Sequence, residues 1–386
     1  MTTYSAVRTT GIYCRPGCGA KPLAENVRTF ELAAAAEAAG YRACLRCRPY
    51  RVAGTVPDEA PELVCRAVQL IIAGVLDESG EAALGVRLGL SARHLRRLFH
   101  EHLGVTPDQF ARSRRAHFAR RLLDDSDLSI ADIAFGSGFG SLRQFNRAMR
   151  EIFRASPREL RDRRRRTDRL VADGGLALRL PFTTPYDWEA MSAFLASQAI
   201  PGVESVEDGV YRRTISLDGD PGLLEIGPGG PDHLVLHAHL PYWEGVIHVV
   251  ERAARLVAVE ADPDVRVPGA WGPFEVAVQA VVRDQLPPED AYDVLRKLVE
   301  VYGVPVAGLG HGLTHAFPGA EALTGAELVG PLARAVAAGN IMLDGGANAG
   351  TLIRFLEAVP GVSPQAARHI VLRLGAHQSW FSEAGR

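Results

Sequence analysis

Ser129-Ile130-Ala131-Asp132-Ile133-Ala134-Phe135, then Gly136-Ser137-Gly138-Phe139, then the run Ser141–Phe153 read as a helix, a tight turn and a second helix. In the second helix Phe145, Met149 and Phe153 recur at fours and mark the inward face. Arg143, Gln144, Asn146, Arg147 and Arg150 are left facing out. An outward row of arginines is most often only a solvated face. Here it lies on the second helix of a helix-turn-helix, the element that such motifs place in the major groove. Arg suits guanine edges there, and Asn and Gln suit adenine.

The pattern occurs again upstream. Glu81–Leu88, Gly89 and Ser91–Glu101 form a second helix-turn-helix, with Ser91 placed to cap the later helix. Leu95, Leu98 and Phe99 face inward, leaving Arg93, His94, Arg96 and Arg97 outside. Two such rows are harder to dismiss than one. The run Asp132–Ser141, together with Phe145 and Pro157, closely resembles the AraC-type DNA-binding domain. That resemblance implies promoter DNA as a partner, with RNA polymerase as a second one.

The whole chain has 386 residues, 47% of them hydrophobic and 23% charged, which implies several domains and excludes a disordered polymer. Residues 1–170 hold 29 Arg and Lys against 19 Asp and Glu, a balance of +10, and the remainder has a balance of −12. A basic first half points to a polyanion such as DNA. No stretch has the apolar length of a membrane span, since even Leu63–Leu76 is broken by Arg66 and Gln69. Met1-Thr2-Thr3-Tyr4 is not a secretory signal, so a cytoplasmic location without membrane contact is expected.

Four of the five cysteines are bunched as Cys14-x3-Cys18 and Cys44-x2-Cys47. In a cytosolic chain such pairs suit one tetrahedral Zn2+ better than disulfides. The plain reading is a structural zinc site. The sharper one makes a zinc-held thiolate a nucleophile. Cys65 stands alone in an apolar run and should be buried as a small hydrophobe.

The segments Val7–Cys18 and Gly40–Cys47 resemble the zinc domain of Ada-type methylation-response proteins. The resemblance implies that Cys14 accepts a methyl group from a DNA methylphosphotriester, while Cys18, Cys44 and Cys47 complete the zinc shell. Methylation would change the formal charge of the site from −2 to −1. Repulsion from phosphates would then fall and DNA affinity would rise.

After Gly174-Gly175 the period changes to two. Leu176, Leu178, Leu180 and Phe182, and later Leu234, Leu236, Ala238 and Leu240, predict strands, and Asp187–Gln198 predicts a helix. From Pro273 onward the pattern is helical. Tyr186-Asp187-Trp188, Val203-Glu204-Ser205-Val206 and Arg266–Ala270 resemble the AlkA class of alkylbase DNA glycosylases, which place a helix-hairpin-helix after a small α/β domain. By that resemblance Gly361 and Ser363 belong to the hairpin that grips the DNA backbone.

Several residues depart from that class. Its catalytic Asp lies beyond the hairpin, yet no Asp follows Asp344, and Glu383 is the last carboxylate side chain. Gln365 and His369 stand at positions commonly aromatic in the base pocket. Where relatives have a Leu-Gly-Gln-Gln-like helix, this chain has Val282-Arg283-Asp284-Gln285-Leu286-Pro287-Pro288. Phe194 reads as core more than pocket. His237 and His239 lack a third metal ligand and read as an exposed strand face.

The expected architecture is multidomain and mainly α. It comprises a four-cysteine zinc domain (1–52), an all-α double helix-turn-helix domain (60–162) and an Arg-rich linker (163–175). An α/β, TBP-like AlkA N-terminal domain (176–264) and a partial all-α helix-hairpin-helix domain (265–386) follow. The expected function is an alkylation-responsive DNA-binding regulator with an inactive glycosylase-like half. A working bifunctional glycosylase and a constitutive regulator with purely structural zinc are the alternatives.

Overall fold

A computed structural model describes residues 3–51, 60–170, 172, 174–261, 266–344 and 346–375. Near the N-terminus β1 (Tyr4–Val7), β2 (Ile12–Cys14), β3 (Val27–Phe30) and β4 (Arg42–Ala43) form a sheet of order β3-β1-β2-β4. Strand β4 runs parallel to β2, while β1 is antiparallel to both its neighbours. Helix α1 (Ala33–Ala38) lies between β3 and β4 in the chain.

Among the described residues eight α-helices follow: α2 (Glu62–Ile72), α3 (Val75–Glu78), α4 (Glu81–Leu88), α5 (Ala92–Leu103), α6 (Pro107–Asp125), α7 (Ile130–Gly136), α8 (Leu142–Phe153) and α9 (Pro157–Asp162). The starts of α5 to α9 are fixed by side-chain caps. The Ser91 and Ser141 hydroxyls accept from the His94 and Gln144 backbone N–H groups, each at 3.2 Å. Thr106, Ser129 and Ser156 each form a capping box, with Gln109, Asp132 and Glu159. The long α6 joins the two helix-turn-helix units, α4–α5 and α7–α8.

The next region is one antiparallel sheet of order β5-β9-β8-β7-β6, from β5 (Leu176–Pro181), β6 (Glu204–Glu207), β7 (Val210–Leu217), β8 (Asp220–Pro228) and β9 (His233–His239). Helices α10 (Trp188–Gln198) and α11 (Val246–Leu256) belong to it. Leu176, Leu178, Leu180, Leu234, Leu236 and Ala238 are buried, as their alternation predicts. Phe182 and Leu240 lie just past the strand ends and are half-buried.

The last region holds α12 (Pro273–Gln285), α13 (Pro288–Tyr302), α14 (Gly330–Ala337), α15 (Ala349–Glu357) and α16 (Pro364–Arg373). Helix α12 stops where the prolines require, with Leu286 extended. One feature corrects the all-helical expectation. Val304–Pro305 (β10) and His315–Ala316 (β11) pair as a small antiparallel ladder. Two residues per strand are too few to show a period in sequence.

Three apolar cores organise these elements, and they do not follow the order of the chain. One unites Tyr13, Leu122, Phe145, Phe153, Leu178, Tyr211 and Val250, so the zinc region, the second helix-turn-helix and the large sheet share it. A second is built around Leu70, Leu84, Leu95, Phe99 and Phe110, with Leu32 from the zinc region. The third, around Val278, Leu295, Leu332, Leu356 and Ile370, belongs to the last region.

The Arg-rich stretch is not a free tether. Asp168 is buried and receives Arg48 at 2.7 Å, and Arg164 reaches the Ser126 carbonyl at 2.8 Å and Asp127 at 2.6 Å. Among the described residues no helix is long and apolar enough to cross a membrane.

Candidate metal centre and nucleic-acid interface

Cys14 ends β2, and Cys44 follows directly on β4, the strand parallel to it. The Cys44 N–H bonds the Tyr13 carbonyl at 3.0 Å, which locks the two cysteine-bearing segments together. Cys18 returns through a turn in which Gly17 takes φ +74°, and a second turn after Cys44 brings round Cys47. The four sulfurs all lie within 4.8 Å of one another, and all four thiols are free. Sulfurs at about 2.3 Å from one tetrahedral ion would be about 3.8 Å apart, so the set fits Zn2+.

The thiols do not share charge easily without a cation. Burial and hydrogen bonding to Cys18 push the Cys14 thiol well up, and burial raises Cys47 to about 12. Burial also opposes charge on Cys44, but backbone N–H groups of Cys47 and Arg46 outweigh it and draw that thiol down. A divalent ion supplies the compensating charge that such a cluster needs. Cys14 is the most enclosed of the four, while Cys18, Cys44 and Cys47 are half-buried.

The zinc region is docked onto α6 by polar contacts. The Tyr13 hydroxyl donates to Glu37 at 2.6 Å and lies 3.1 Å from His117 Nε2, which itself sits 2.6 Å from Glu37. Tyr50 donates to Asp124 at 3.0 Å, and Arg51 bridges Asp124 and Asp125 at 3.2 Å each. The strand residue next to Cys14 therefore touches the helix that links the two helix-turn-helix units.

On the second helix of the first unit, α5, Arg93, His94, Arg96 and Arg97 are exposed, with Arg96 paired to Glu81. On α8, Arg143, Gln144, Arg147 and Arg150 are exposed. Asn146 is half-buried and its amide donates back to the Leu142 carbonyl at 2.8 Å. Arg143, Asn146, Arg147 and Arg150 line one open depression with Glu151 and Arg154. Arg147 pairs with Glu151 at 2.8 Å. Leu95, Phe99, Phe145, Met149 and Phe153 are all buried beneath these faces, and Leu98 is half-buried.

In the last region α15 and α16 flank the turn that holds Gly361, whose φ of +89° suits glycine. Its carbonyl accepts from Gln285 Nε2 at 2.5 Å. Ser363 caps α16 by accepting from the Ala366 N–H at 3.0 Å. Asp344 pairs with Arg87 of α4 and accepts from the Gly346 N–H. Phe194 is half-buried against the first core, and His237 and His239 alternate with buried residues along β9. Glu383 lies outside the described residues. The four cysteines are the one group among the described residues that could hold a metal.

A buried ionic cluster escaped the reading of the sequence. Arg213, 1% exposed, meets Glu275 through two contacts of 3.0 and 2.8 Å and Glu204 at 3.0 Å, beside Tyr211 and over the Trp271 ring. The signal was Glu275, an acid within the apolar run Phe274–Ala277.

Residues 2–50 match the family described as metal binding domain of Ada, residues 84–163 a helix-turn-helix domain, and residues 177–271 the AlkA N-terminal domain. The probable bifunctional transcriptional activator/DNA repair enzyme AlkA of Mycobacterium tuberculosis is 35% identical over 405 aligned positions, covering 95% of this chain and 82% of that protein. The bifunctional transcriptional activator/DNA repair enzyme Ada of Escherichia coli is 32% identical over 159, covering 40% and 43%. A crystal structure of a methylated N-Ada/DNA complex is 35% identical, covering 30% of this chain and 84% of that one, with a TM-score of 0.14.

Fold and site define a DNA-binding regulator that carries a four-cysteine zinc domain and a glycosylase-type scaffold. The chain belongs to the Ada/AlkA family of bifunctional transcriptional activator/DNA repair proteins.

Proposed function

We propose that this protein is a DNA alkylation-response regulator whose Cys14 takes a methyl group from a DNA methylphosphotriester. The Cys14 sulfur attacks the methyl carbon, the carbon–oxygen bond breaks, and the phosphate leaves as an ordinary diester anion. Bound zinc would keep the thiolates deprotonated. The observation that carries this reading is the cluster of four free sulfurs within 4.8 Å, with Cys14 ending a strand in an Ada-type segment. Methylation removes one negative charge near the phosphates, and Tyr13 links that position to α6. Arg93, His94, Arg96, Arg97, Arg143, Gln144, Asn146, Arg147 and Arg150 then read the promoter, and Gly361 and Ser363 approach the backbone.

The glycosylase-like half is read as inactive in base excision. Its buried carboxylates, Glu204 and Glu275, are both engaged by Arg213 and cannot stabilise cationic charge on a sugar. The test has two arms. Cys14→Ser should abolish methyl transfer from methylphosphotriester DNA. The unaltered protein should release no base from alkylated DNA, and release would favour the bifunctional reading that the names of its relatives carry.

A further inference from the structure

Two arginines and a histidine converge where α12 and α16 meet α10, and among the described residues none has a carboxylate of its own. Arg373, in the last turn of α16, is 5% exposed. It donates to the Gly269 carbonyl at 2.9 Å and lies over the Phe194 ring of α10 at 5.6 Å. Arg283, in the last turn of α12, is half-buried and donates to the Ser197 carbonyl of α10 at 3.2 Å. The Nε atoms of both are buried and have no hydrogen-bond partner among the described residues. His369 stands one turn before Arg373 on the same face of α16.

The local charge does not balance. The nearby carboxylates are Glu204 and Glu275, and both already serve Arg213. Glu204 also accepts from the Tyr211 hydroxyl and the Ile200 N–H. Three guanidiniums thus face two carboxylates, and the excess rests on Arg283 and Arg373. Burial pulls both guanidiniums below their ordinary range. Burial, with Arg373 and Arg283, pulls His369 down too. Buried cations and N–H groups left unmatched are costly, so an arrangement of this kind calls for an anion.

We propose that the junction of α10, α12 and α16 is an anion site that takes a phosphate group, with Arg283 and Arg373 donating to its oxygens and His369 beside them. Guanidinium forks match phosphate oxygens well. The same charge repels a cationic alkylated base. The phosphate belongs either to the DNA backbone or to a free phosphate monoester, and the site is independent of Cys14.

Calorimetry on the full chain with inorganic phosphate and a nucleoside 5′-monophosphate, beside the salt dependence of duplex binding, tests this. Arg283→Gln is the working variant, because Arg283 is half-buried and its loss leaves the Arg213 cluster whole. Weakening of phosphate and nucleotide binding by roughly tenfold or more, with an unchanged salt slope, supports a free phosphate monoester. A salt slope shallower by about 0.9, without an effect on free phosphate, supports a backbone phosphate. If Arg283→Gln and His369→Ala both leave all three measurements unchanged, the proposal is wrong.

Discussion

Arg213 shows what a single residue does in this molecule. It is buried between two carboxylates, and removing it would leave Glu204 and Glu275 enclosed without their counter-ion. Breaking a buried pair in this way costs about 3–5 kcal/mol. Arg213→Ala should therefore move the denaturant midpoint sharply down when followed through Trp271, whose ring lies 5.0 Å from the guanidinium. An unchanged midpoint would show that the two acids reach water. Sequence reveals Glu275 as an acid on an apolar helix face but cannot reveal its partner, which sits 62 positions away on a strand. By contrast, the four zinc cysteines are legible at once, because metal ligation imposes a spacing that survives without any knowledge of the fold.

Among the elements, the helix-turn-helix units follow the sequence most closely, since caps, apolar period and turn glycines all point the same way. Two glycines of the first unit, Gly85 and Gly89, differ in kind. A Cβ on Gly85, inside α4, would come within 2.5 Å of the Leu90 carbonyl, whereas Gly89 has open space and only a φ of +70°. Gly89→Ala should cost about 1–2 kcal/mol from backbone strain in the left-handed region. Gly85→Ala should cost more and should also weaken operator binding, because the turn that aims α5 must shift. Equal effects in melting and in gel-shift titrations would contradict that account. The β10–β11 ladder and the ion-paired stretch around Asp168 were illegible for a common reason. Both are fixed by contacts with distant parts of the chain, such as Arg48 to Asp168, and by no local period.

At the scale of the molecule, the zinc, reading and sheet regions share one apolar core, and ionic contacts tie them further. One such contact joins two titratable groups. Burial opposes charge on both His248 of α11 and Asp77 of α3, but their 2.6 Å contact outweighs it, raising His248 and, with Arg115, lowering Asp77. The His248 contribution is complete below its ordinary value of 6.5 and is lost as pH rises through its raised value. The Asp77 contribution is present above 3.8 and is lost as pH falls through its lowered value. Hydrogen exchange in α3 and α11 should accelerate on the alkaline side beyond its ordinary pH dependence, and His248→Ala should abolish that excess. The central claim, that this assembly responds to alkylated DNA through Cys14, is tested most directly by peptide mass spectrometry. The zinc-loaded protein would first be incubated with DNA carrying methylphosphotriesters. The account predicts one added methyl group, on Cys14 and on none of Cys18, Cys44 or Cys47. An unmodified Cys14 in protein that keeps its zinc and still binds DNA would contradict it.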